Sequence, residues 1–595
     1  MSRKLTPRSS LQHLTREAKR WLKAVRTGIV DARIRLERAL EHPPAFPTLR
    51  DIQHALAREH GLSGWAALRQ ALSTRTPAET GEEALVSRFL DNACPDHHVR
   101  GASDLLRARH TALRLLSRFP ELADASFQTE IVCGDLDAVR EALADRPALA
   151  TRRATEPAPG RSGVGNPGDL YGDLGPKGWE PLLYLCFARL PVPQAEANAV
   201  DIATALLDAG ADPNCFFPAG DSCYTPLVGV IGEGEEDRPP HPARDALVRL
   251  LLERGAEPYD NQVIYNIHFH ARVLWWLRLI HERSLALGRK ADWDDPEWTV
   301  LNMGGYGSGA RWFLDIAIKH HDLELAEWCL SHGANPNSAP ARSNQFPQHS
   351  LYETAMRAGE MAIADLLVQH GAKVTPISLD PVTALTAAAM QGDRARVMAL
   401  LAAHSTLRDA HQPLHRAAQM NRADAVALLL DAGMSPEVEN DDKARPLHGA
   451  AYRNALDVAR LLIGRGAEID PRERSHGGTP LGHATYAGHR EMMDLLAAHS
   501  KDIWELVFIG RVDRVRALLV EQPERGKVRS GDETPLMWLT TDDEAVAIET
   551  ARLLLQHGAD PGVKNKDGKT AADRAEAIGM YDLAGVLRDA AAAGG

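Results

Sequence analysis

Three consecutive stretches of this chain align with one another at a period of about 33 residues. They are QPLHRAAQMNRADAVALLLDAGMSPEVENDDKA from Gln412, RPLHGAAYRNALDVARLLIGRGAEIDPRERSHGG from Arg445 and TPLGHATYAGHREMMDLLAAHSK from Thr479. A period of this length restricts the fold severely. One unit is too short to bury its own apolar face, so neighbours must stack into a continuous core. At 595 residues the chain also exceeds a single ordinary core, and the period favours an elongated array over separate globular domains.

The recurring positions each have a physical reason. Pro413, Pro446 and Pro480 fall in the first turn of a helix, where the missing N–H costs nothing and the fixed φ helps. Thr225, Thr479 and Thr534 can cap those helices with a hydroxyl. The alanines Ala417, Ala418, Ala450 and Ala451 allow close helix approach, and the pairs Leu429–Leu430, Leu461–Leu462 and Leu554–Leu555 fill the interface from a second helix. Gly210, Gly255, Gly333, Gly371, Gly433, Gly466 and Gly558 follow those second helices, where the chain needs a left-handed residue.

These residues resemble ankyrin repeats, in a degenerate series over roughly 126–595. The resemblance implies an all-α solenoid of about 12 antiparallel helix pairs with projecting loops and a concave face, and it implies no particular partner, because the family binds unrelated molecules. Ahead of the array, residues 1–75 read as a basic amphipathic helical segment, with Leu11, Leu14, Ala18, Leu22 and Val25 at three-to-four spacing. That segment resembles a helical stretch found before ankyrin repeats in bacterial proteins. Residues 76–125 read as a helical connector or cap. Irregular insertions interrupt the array near 152–178, 231–243 and 288–310.

A net charge of −12 argues against nucleic acid as a partner, because phosphate neutralisation needs a basic face. Residues 1–38 are the exception, with many arginines and lysines against Glu17, Asp31 and Glu37. The sequence has no apolar run of the roughly 18 residues a membrane span needs and no apolar signal segment in MSRKLTPRSS. The six cysteines are scattered without a CxxC pair, which fits reduced thiols. A cytoplasmic protein without membrane contact is the expectation.

Most of the aromatic residues crowd between 160 and 355, more bulk than this repeat needs. Long irregular loops inside a compact array are commonly functional, so the candidate binding residues are Trp179, Tyr265, His268, His270, Trp275, Trp293, Glu297, Trp298, Tyr306 and Trp312. The same aromatics can equally serve to pack a distorted solenoid. Within this region Asp292, Asp294 and Asp295, in DWDDPE, are candidate catalytic or cation-holding carboxylates. The run resembles the Asp-x-Asp-Asp acid motif of class II terpene cyclases over four residues. An acidic loop that caps a helix is the competing account.

No metal site or cofactor is assigned. His268 and His270 stand two apart and point to different faces of a helix, while His97–His98 and His320–His321 are adjacent pairs with no third ligand in view. The glycine runs at Gly160–Gly165 and Gly304–Gly309 lack the lysine of a phosphate loop. No nucleophile elbow, kinase set or zincin motif occurs. The leading expectation is therefore a protein-binding scaffold rather than an enzyme. The alternative is an enzyme or small-ligand receptor with an aromatic, acidic pocket around Asp292–Glu297.

Overall fold

The described residues of the computed structural model are 11–594 except 28, 41–42, 60–61, 66, 69–80, 100, 152–177, 220–221, 233, 235–237, 270–272, 341–347 and 542. His270, the glycine run at Gly160–Gly165 and nearly all of the 152–178 insertion lie outside them. The fold is all-α, with 64% helix and 2% strand. It gathers into two compact units, Met1–Cys94 with Ala112–Gly210 and Pro95–Thr111 with Ala211–Gly595.

In the first unit, helices Leu11–Arg26, Val30–Ala39 and Leu49–Glu59 close around Ala18, Trp21, Leu36, Ile52 and Leu56. Arg35 lies over the Trp21 ring at 3.9 Å and bonds Glu59 at 2.7 Å. The basic character of this segment is partly answered within the unit. Lys19 pairs with Glu141 at 2.7 Å, and Lys23 pairs with Asp137, both on helix Leu136–Asp145. Helix pairs Phe127–Cys133 with Leu136–Asp145, and Pro181–Phe187 with Pro193–Asp208, complete the unit.

The second unit is a succession of helix pairs, from Pro226–Ile231 with Arg244–Glu253 to Ala571–Ala577 with Tyr581–Gly594. First helices pack in a row, Gly309–His320 on Leu351–Ala358, then Pro381–Met390, His411–Gln419, Pro446–Tyr452 and Pro480–Tyr486. One continuous core runs through the later repeats, from Leu385 to Leu587. The Leu-Leu pairs divide their work. Leu429, Leu462 and Leu554 are fully buried, whereas Leu430, Leu461 and Leu555 are half-buried, because neighbours on a helix point about 100° apart. A hairpin of Phe217–Ala219 with Ser222–Tyr224 is the strand content of the described residues.

Gly433 takes φ +93° after its second helix, and the six equivalent glycines are left-handed as well, as the turn requires. The threonine caps are less uniform. Thr225 and Thr479 accept from the backbone N–H groups of Val228 and Gly482 at 3.3 and 3.1 Å. Thr534 makes no such bond, because Pro535–Trp538 winds as a 3₁₀ turn and offers no matching N–H.

The histidines of the PLH stretches lock successive loops together. His415 Nε2 bonds the Val438 carbonyl at 3.0 Å, and His448 Nε2 bonds that of Pro471 at 3.1 Å. Burial pushes the His448 imidazole down to about 4, with the neighbouring His483 adding to the effect, while in an unfolded chain it titrates near 6.5. The folded state therefore binds fewer protons between those values, and stability falls as pH drops through that window. Replacing His448 with Gln is expected to cost about 1–3 kcal/mol at neutral pH. It should also flatten the loss between pH 6.5 and about 4, as read from urea midpoints across that range.

Candidate functional site

The candidate aromatic residues of the second unit fall mainly into two groups. In the first, Trp312 is fully buried and meets His268 edge-on at 5.2 Å, Tyr306 at 5.3 Å and Tyr265 at 6.3 Å. In the second, Trp293 and Trp298 pack edge to face at 5.2 Å, with Trp328 about equally close to both at 6.2 and 6.0 Å. His281 adds its ring to Trp293 at 4.9 Å, and burial pushes its imidazole below the ordinary range. Trp275 belongs to neither group; it adjoins Trp276 at 6.1 Å and carries the Arg244 guanidinium 4.4 Å over its ring. Trp179 belongs to the first unit, where it packs on Tyr184 and Phe187 at 5.7 and 5.2 Å.

The loop that carries these rings is tightly built. Trp298 is buried at φ +48°, a left-handed conformation that a bulky residue adopts only under constraint. The constraint is visible at Gly309, the first residue of its helix, where a Cβ would lie 2.8 Å from the Trp298 carbonyl and 2.7 Å from Leu301 Cβ. The indole N–H groups of Trp293 and Trp298 are buried without a hydrogen-bond acceptor.

Each carboxylate in Asp292–Glu297 has its own partner. Asp292 accepts from Tyr259 Oη at 3.0 Å and from Arg289 at 2.9 Å. Asp294 pairs with Lys290 on the surface. Asp295 accepts from Thr299 Oγ1 at 2.7 Å and from the backbone N–H groups of Thr299 and Glu297 at 3.0 Å, bonds that hold its carboxyl below the usual range. Glu297 receives Ser308 at 2.7 Å, Ser338 at 2.8 Å and Asn335 at 2.5 Å. Glu297 thereby ties the loop to the next helix and to the turn after Trp328. These contacts orient a loop, and they aim the carboxylates in different directions.

Among the described residues, the group of three donors close enough for one cation is Asp96, His97 and His98, with ligand atoms within 4.8 Å of one another. Asp96 is the third donor beside the adjacent histidines. It accepts from His98 Nδ1 at 3.0 Å, while His97 packs against Phe217 and Tyr224 at 6.1 and 5.6 Å. The sequence reading also passed over Arg311 and Asp315. They form a fully buried pair at 2.6 Å on one helix, where burial outweighs the attraction of Arg311 and holds the Asp315 carboxyl above its ordinary range. Their i, i+4 spacing was the available signal.

A family model described as ankyrin repeats (3 copies) matches residues 351–440 and 414–506, and one described as ankyrin repeat matches 531–566. Residues 351–506 and 531–566 are ankyrin repeats. The ankyrin matches begin at 351, so the aromatic groups precede nearly all of them in the chain. No curated protein matches this sequence. Among the described residues, no helix is long and apolar enough to cross a membrane.

The buried pair at the head of helix Gly309–His320 supplies a test of how the aromatic region is held. Replacing Arg311 with Met strands the Asp315 charge and is expected to cost about 3–5 kcal/mol. Changing both residues, Arg311→Met with Asp315→Leu, should recover most of that loss when guanidinium midpoints of the three chains are compared.

Proposed function

We propose that this protein is a scaffold or adaptor that holds a protein partner on its ankyrin-repeat surface. The observation that carries this reading is the repeat array itself at 351–506 and 531–566, since ankyrin repeats are generally protein-interaction modules. The physics is consistent with that use. Stacking spends the apolar faces on neighbouring repeats, and the loop tips and first-helix row are left as a long surface for contact. A cytoplasmic setting belongs to the same reading, because the six cysteines form no disulfide.

A second reading, an enzyme or small-ligand receptor built around Asp292–Glu297, draws on the buried, acceptor-free indole N–H groups of Trp293 and Trp298. Such groups suit a site that closes on a polar ligand. In its favour stands the concentration of Tyr265, His268, Tyr306 and Trp312 nearby in the chain. Against it stands the separate structural employment of Asp292, Asp295 and Glu297.

The two readings separate in one experiment. The full chain is crosslinked in lysate and the crosslinked positions are mapped, alongside a chain carrying Asp294→Asn and Asp295→Asn. The scaffold reading expects a reproducible protein partner, crosslinks within 351–566 and unchanged capture by the variant. Crosslinks confined to residues outside the array, or capture lost with the two aspartates, would overturn it.

A further inference from the structure

The row of first helices brings together three cations that form no salt bridge among the described residues. Lys319 lies in the last turn of Gly309–His320, Arg416 projects from His411–Gln419, and Arg453 directly follows Pro446–Tyr452. The row curves enough that Arg416 Nη1 reaches the Lys319 carbonyl at 3.4 Å, although two other first helices intervene in the sequence. Arg453 lies over the Tyr452 ring at 5.5 Å, and its charge acts on Lys319, His320 and Arg416 together. Among the described residues, none of the three cations takes part in an ion pair, whereas Arg422, Arg445 and Arg465 on the same repeats each hold a carboxylate.

Burial comes first, and mutual repulsion second, in pushing Lys319 below its ordinary range. The same burial lowers Arg416 and takes His320 down to about 4, so that His320 is neutral at pH 7. The carboxylate that faces the group is Glu360, which acts on Arg416 but is already bonded to His321 Nδ1. His268 faces His320. With His320 neutral, three cations facing one carboxylate leave an excess of two positive charges among these groups, in a protein whose net charge is −12.

We propose that Lys319, Arg416 and Arg453, with His320 beside them, form a binding site for a dianionic oxyanion of the phosphate type. The charge balance selects the ligand. One carboxylate would cancel only one of the two excess charges, whereas a phosphate ester carries about −1.5 to −2 and offers three acceptor oxygens. Two guanidinium forks and one ammonium are the donors such a group uses. His320 Nε2 is buried and has no hydrogen-bond partner in the protein, and as an N–H it supplies one donor more. This site goes beyond the scaffold reading and does not depend on it, because a protein partner can bind the array elsewhere.

Titration calorimetry on the full chain with inorganic phosphate tests the site, with acetate as the carboxylate control. Phosphate is expected to bind saturably and to weaken as salt rises. Lys319 and Arg453, whose side chains reach solvent although neighbours partly bury that of Lys319, provide variants that keep the fold, and each of Lys319→Gln and Arg453→Gln should weaken phosphate about tenfold. Arg422→Gln, a control on a paired arginine, should leave phosphate binding unchanged. Without ligand, Lys319→Gln should melt higher than the natural chain because repulsion is relieved, and it should lose the phosphate-induced rise. A phosphoserine peptide that binds much more tightly than phosphate would assign the anion to a modified protein, and equal binding of a free phosphate monoester would assign it to a small molecule. The proposal is overturned if phosphate does not bind, if acetate competes as well as phosphate does, or if the two variants bind phosphate as the natural chain does.

Discussion

Everything in this protein depends on the contact between one helix pair and the next. A pair such as His411–Gln419 with Ala423–Asp431 buries Leu414, Ala418, Val426 and Leu429 completely, yet so few side chains cannot offset the conformational entropy of some thirty residues. The missing stabilisation comes from the neighbours, through alanines that let backbones approach and leucines that reach across. The hydrogen bonds from His415 and His448 to carbonyls in the following loops set the register of this stacking. Their polar atoms are satisfied within the fold, so the loops are held without leaving a buried donor unmatched.

The aromatic region solves the same problem with different materials. Where the repeat signature fades, between Asn261 and Ser338, rings replace the small residues, and Trp276, Trp298 and Trp312 are fully buried. The loop at 288–310 contributes Trp293 and Trp298 to this packing. Glu297 fastens that loop with three hydrogen bonds, and the Arg311–Asp315 pair sits under it. A left-handed tryptophan is tolerated because packing on all sides over-determines its position.

Charge is distributed with similar economy. Several cations of the repeats are matched by a carboxylate on the same or the next unit, as with Arg445 between Glu437 and Glu468. The basic helix Leu11–Arg26 spends Lys19 and Lys23 on its own acidic neighbour. The cluster at Lys319, Arg416 and Arg453 is distinctive because it gathers side chains from separate repeats of the first-helix row, Arg416 Nη1 reaching the Lys319 carbonyl at 3.4 Å.

The sequence by itself determined the repeat, the left-handed glycine turns and the all-α class, because each rests on local backbone preference or on spacing along the chain. It did not determine which leucine of each pair is buried, that Thr534 would begin a 3₁₀ turn, or that Asp292, Asp295 and Glu297 would each be taken up by a different partner. Asp295 is taken up locally by Thr299, but Glu297 and Asp292 answer to neighbours further along the chain: Ser308, Asn335 and Ser338 for Glu297, and Tyr259 for Asp292. The meeting of Lys319 with Arg416 and Arg453 lay furthest from view, because no motif joins residues that only the curvature of stacked helices brings together.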